Sequence, residues 1–99
     1  VNTRNPTTPF YVYGVMRYIV VFAQQEIGYA VGFDDSSDAA DFLYWGYEEY
    51  DLVPYGTFDV LTGEVWPYEH RGERVAELDE PGIRKIALDY LKSAIRQRT

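Results

Sequence analysis

Residues 18–23, Tyr-Ile-Val-Val-Phe-Ala, are apolar or aromatic at every position. A half-buried strand would alternate with polar residues, and a surface helix would interrupt the run every few places. β-Branched and aromatic residues dominate it, which argues for a strand. Apolar residues on both of its faces put that strand at the centre of a sheet. The run is the end of a longer stretch, Phe10 to Gln24, too long for one ordinary strand, with Gly14 as the expected bend. After "QQE" comes "IGYAVGF", so 17–24 and 27–33 read as the two arms of a hairpin. Residues 1–9 hold two prolines and small polar residues, and read as a flexible lead-in. Residues 10–99 then read as one domain.

"DDSSDAAD" marks a helix start, with Ser36 or Ser37 as the expected cap and Asp38 and Asp41 near the positive end of the dipole. At 100° per residue, Asp38 to Tyr50 puts Ala39, Phe42, Leu43, Gly46, Tyr47 and Tyr50 on one face. The other face collects Asp38, Asp41, Tyr44, Trp45, Glu48 and Glu49. Gly46 is costly inside a helix, and close approach to the sheet would explain it. "DLVPYG" reads as a loop before a second hairpin, "TFDVLTGEVWPY". Gly63 is expected to be left-handed at its turn, and Pro67 points to an edge strand. "EHRGERVAE" reads as a polar connector holding a turn of helix.

The final helix is the clearest element. Asp79 caps it, Glu80 and Pro81 fill its first turn, and Ile83, Ile86, Ala87, Tyr90, Leu91, Ala94 and Ile95 form its core stripe. Arg84, Lys85, Lys92, Arg96 and Arg98 lie off that stripe. The fold expected is therefore α+β: a four-stranded, mostly antiparallel sheet with two helices packed on one face, in the order ββαββα.

Charge narrows the partners. The net charge is −7, and it is uneven: no lysine or arginine lies between Arg17 and Arg71, a window with eleven acids. Direct binding to nucleic acid or to an anionic membrane needs a basic footprint, so neither is expected. Cysteine is absent, which removes disulfides and thiolate chemistry and points to a reducing, cytoplasmic setting. No apolar stretch is long enough to span a bilayer.

Catalytic signatures are weak. His70 is the only histidine, and Glu69, His70 and Glu73 are too few for a metal site; a solvated loop histidine is the expectation. Ser36, Ser37 and Ser93 sit in a cap and on a helix, away from any base. Asp34, Asp35, Asp38 and Asp41 lack the spacing and closing glutamate of a calcium loop. The eight glycines form no phosphate-binding loop with its lysine. No cofactor, metal or catalytic residue is assigned, and an enzyme is not expected.

The acidic helix face is the stronger lead, against the alternatives that Tyr44 and Trp45 tuck under the 51–57 loop or the second hairpin as satellite core and that the acidic middle serves solubility alone. An aromatic anchor ringed by charge is the make-up of a binding hot spot, here Asp38, Asp41, Tyr44, Trp45, Glu48, Glu49 and Asp51. The expected function is a non-catalytic protein-binding module that docks on a basic surface, such as that of a nucleic-acid-binding protein. Small acidic inhibitors encoded by phages and mobile elements occupy such grooves, an analogy that rests on size and charge. The rival is an oligomerisation module in which the aromatic patch closes a homodimer, or edge strands near Pro67 or in Phe10–Tyr13 pair across a twofold axis. A small carboxylate-dependent enzyme is the third reading.

Overall fold

The computed structural model describes residues 17–97 of the chain, and the side chains of residues 17–94. The expectations for Phe10–Tyr13, Gly14 and the lead-in lie outside the described residues, as do those for the side chains of Ile95, Arg96 and Arg98. Strand β1 (Tyr18–Gln24) pairs with β2 (Ile27–Phe33) as an antiparallel hairpin in the register Tyr18↔Phe33 to Gln24↔Ile27. Its two-residue turn holds Gln25 at φ 53 and Glu26 at φ 68, the left-handed pair that matches strand twist. Helix α1 follows (Ser36–Glu49), then β3 (Val53–Asp59), which lies antiparallel on the other side of β1. Strand β4 (Val65–Pro67) completes the sheet in the order β2-β1-β3-β4, every pair antiparallel. Pro67 sits on that edge strand, and Gly63 has φ 78 in the β3–β4 turn, as the residue types require.

Strand β3 starts earlier than expected, at Val53 instead of after the "DLVPYG" segment. The proline inside it is accommodated by a bulge. The β1–β3 register shifts between Val21 and Phe22, so that Val21 faces Gly56 and Phe22 faces Pro54. The expected helical turn near residue 70 is instead a small hairpin, β5 (Glu69–His70) with β6 (Glu73–Arg74). Arg71 at φ 53 and Gly72 at φ 88 turn it tightly, which no helix would allow.

Helix α2 (Glu80–Gln97) begins as its sequence implies. The Asp79 carboxylate accepts from the Gly82 N–H at 2.9 Å, and the Asp79 carbonyl accepts from Ile83 at 3.0 Å. Ile83 and Ala87 are fully buried, with Ile86, Tyr90 and Leu91 packed beside them.

The class, the four strands and the two helices are those the sequence implies, but the layering is not. The helices do not share a face of the sheet. Ile19 and Val21 join Phe58, Val65, Ile83 and Ala87 in one cluster under α2. Val20 and Phe22 join Ala39, Leu43 and Leu52 in another under α1. Successive strand residues point to opposite faces, so each helix covers its own side. The cause is β1 itself: residues 19–23 are buried throughout, and a strand apolar on both faces needs a cover on both.

Gly56 shows how closely the outer strands fit. A Cβ there would lie 2.7 Å from the Trp66 carbonyl oxygen and 3.0 Å from the Pro67 Cα, both backbone atoms of β4. Gly56→Ala is expected to cost about 2 kcal/mol by prying β4 from the sheet. Urea midpoints of the two proteins would test it, and an unchanged midpoint would refute the close fit.

Candidate functional site

Helix α1 is started by Asp35, not by Ser36 or Ser37, because the extended backbone at Asp35 aims its carboxylate back over the first turn. Asp35 Oδ1 accepts from the Ser37 N–H at 2.8 Å and from the Ser37 hydroxyl at 2.7 Å. The Ser37 hydroxyl, then its N–H, hold the Asp35 carboxyl below its ordinary range. Ala39, Leu43 and Gly46 are the buried residues of α1. Gly46 is explained by Leu52, not by the sheet: an added Cβ would collide with the buried Leu52 side chain. The Gly46 carbonyl also accepts from Tyr50 at 3.0 Å and from Leu52 at 3.1 Å, with Asp51 left-handed at φ 57. That turn ends the helix and pulls Tyr50 off the core face. Tyr47 and Tyr50, expected inside, are 40% and 68% exposed.

The outward face has two parts. Asp38, Asp41, Trp45 and Glu49 fall at i, i+3, i+7 and i+11, one stripe of α1. All four are exposed, Trp45 to 52%. Among the described residues no ion pair reaches Asp38, Asp41, Glu49 or Asp51.

Beside this stripe, Tyr44, Tyr47 and Glu48 meet the β5–β6 hairpin. His70 is not a solvated loop residue. It is buried to 9% exposure, with Nε2 2.7 Å from Glu48 Oε2 and Nδ1 2.7 Å from the Tyr68 hydroxyl. Its ring stacks on Tyr44, centroids 4.8 Å apart at 28°, and tilts against Tyr47 at 4.6 Å. Burial pushes the Tyr68 pKa up, with Tyr44, Glu48 and Tyr47 adding to it, so Tyr68 keeps its proton. In the neutral ring, Tyr68 therefore donates to Nδ1, and Nε2–H donates to Glu48. Arg71 adds a second tie: its Nη2 donates to the Tyr44 hydroxyl at 3.4 Å and lies 3.7 Å from Glu48.

Glu48 is thus a fixed strut under the helix, where sequence reasoning had grouped it with the free carboxylates. Tyr44 is half-buried between His70 and Trp45, which meets it edge-on at 5.0 Å and 79°. Trp45 therefore rests on a braced platform. Sequence reasoning missed His70, Tyr68 and Arg71. The usable signal was the alternation Tyr68-Glu69-His70, which puts Tyr68 and His70 on one side of an extended segment.

Among the described residues, no group of three or more His, Asp and Glu side chains is placed to hold a metal. No helix there is long and apolar enough to cross a membrane. Compared with protein-family models, curated proteins and solved structures, the chain gives no significant match to any of them.

Proposed function

We propose that this protein is a non-catalytic binding module whose outer α1 face docks on a basic surface of a protein partner. One observation carries the reading: Trp45 stands 52% exposed in line with three carboxylates that have no ion-pair partner among the described residues. An indole gains from burial and from a cation over its face, while the flanking acids steer such a cation toward it. Tyr44, held by His70 and Arg71, fixes the platform before binding, which lowers the ordering cost of docking. A protein that binds nucleic acid fits this surface, because the carboxylates of Asp38, Asp41 and Glu49 can occupy sites meant for phosphates.

Reversing Asp38, Asp41 and Glu49 together to lysine tests the reading, with Glu48 left in place because it holds His70. Capture of a partner from source-cell extract is expected to disappear, with circular dichroism unchanged. Trp45→Ala alone is expected to weaken capture by about 2 kcal/mol, a hot-spot loss. Undiminished capture by the triple variant would end the acidic-face reading.

A further inference from the structure

The two helices carry stripes that mirror each other. On α1 the order is acid, acid, Trp, acid: Asp38, Asp41, Trp45, Glu49. On α2 the exposed residues Pro81, Lys85, Leu88 and Lys92 fall at i, i+4, i+7 and i+11, an apolar side chain with a base on each side. Leu88 is 38% exposed, at a shallow groove of about 370 Å³ that these residues line with Arg84 and Asp89. In both stripes the central apolar residue is followed four places on by a charge, Glu49 on α1 and Lys92 on α2. It is preceded by Asp41 at four places and by Lys85 at three, so charges flank it by roughly one helical turn each way.

We infer that the outer face of α1 docks on the outer face of α2 of a second copy of this chain. This rests on the reading of α1 as a docking face and names the basic surface it meets. With the helices antiparallel, Trp45 seats on Leu88 in the groove, Asp41 meets Lys92 and Glu49 meets Lys85. Antiparallel helices also oppose their dipoles favourably. Lys85 already pairs with Asp89 at 3.0 Å, but that pair is exposed and within one helix, so Glu49 competes for a lightly held cation. Arg84 is engaged with the Gly63 carbonyl at 3.1 Å and stays where it is.

The fold dictates the geometry of the assembly. The two helices cover opposite faces of the sheet. One copy cannot bring its own stripes together, and a twofold pair cannot satisfy both stripes at once. The contact is head-to-tail, so copies add in a row or close into a ring. The net charge of −7 repels copies at long range, so complementary pairs at contact must supply the attraction.

Sedimentation velocity over a concentration series tests this with two variants. Asp41→Asn with Glu49→Gln neutralises only the acidic stripe, and Lys85→Gln with Lys92→Gln neutralises only the basic one. The native chain is expected to grow beyond its 11.5 kDa mass as concentration rises. Each variant alone stays a monomer. Their equimolar mixture forms a two-chain complex and stops, because each brings one intact stripe. A native chain that stays monomeric throughout, or association that persists in both variants, overturns the inference. A separate arm titrates a lysine-bearing helical peptide into a Trp66→Phe chain, so that emission reports Trp45 alone. A monomeric chain whose Trp45 responds to the peptide loses the second-copy inference and keeps the docking face. A monomeric chain with no response loses both.

Discussion

Asp59→Ala is expected to lower the unfolding free energy by about 3 kcal/mol, because a buried charged acceptor loses all its hydrogen bonds. The Asp59 side chain is 1% exposed and clamped by Arg17, whose Nε and Nη2 each donate to it at 3.0 Å. It also accepts from the Leu61 N–H at 2.9 Å and the Thr62 N–H at 3.4 Å, so it shapes the β3–β4 turn. Removing the carboxylate breaks all four of these hydrogen bonds and empties a buried site. The Arg17 bond is the main cause that holds the Asp59 pKa at about 2, below the ordinary 3.8. The sign follows: a depressed carboxyl stabilises the fold above its ordinary pKa, and that stability drains as pH falls through 4 toward 2. Urea titrations at pH 7 and pH 2.5 would show it. The native chain weakens on acidification, and the difference between native and Asp59→Ala chains narrows. A variant that matches the native midpoint at pH 7 would contradict the clamp.

Removing the His70 imidazole is the second large loss. His70→Ala leaves a void among Tyr44, Tyr47 and Tyr68, and strips Glu48 and Tyr68 of their partners. The cavity and the two lost hydrogen bonds together cost about 3 kcal/mol. The loss has a second readout, because Tyr44 loses the ring it stacks on and Trp45 loses its brace. In a Trp66→Phe background, Trp45 anisotropy is expected to fall with the loss of stability. His70→Gln, which keeps a polar group near Glu48, recovers part of both. A His70→Ala chain of native stability and native Trp45 anisotropy would show that the imidazole is not a strut.

Much of this fold is legible in local pattern. The all-apolar, β-branched run and the short "QQE" break after it imply the β1–β2 hairpin, and the spacing of Ile83, Ala87 and Leu91 implies α2, because both depend on neighbours a few residues away. The position of α2 was harder. It depends on which side of the sheet the chain crosses, and only the unbroken burial of β1 hinted that both sides need covering. A helical wheel misplaces Tyr50 because it assumes a helix that continues, whereas Asp51 turns the chain one residue later; Tyr47, still inside α1, packs on His70 of the outlying hairpin and not on the sheet. His70 was misread for a third reason. Its partner Glu48 lies 22 residues earlier, and no local window joins a carboxylate on a helix to an imidazole on a two-residue strand. The exposed stripe with Trp45 was readable throughout, since it needs only the period of α1.

Strand β1 works as a partition wall. The residues on its two sides belong to separate packed compartments that share no member. Substitutions in the two compartments that lie more than about 7–10 Å apart and share no partner are expected to add in energy. The chain can therefore revise the α1 compartment, and the chemistry displayed above it, while the α2 compartment holds the architecture constant. A small protein divided in this way can vary one half of its core and the surface above it while the other half keeps the fold.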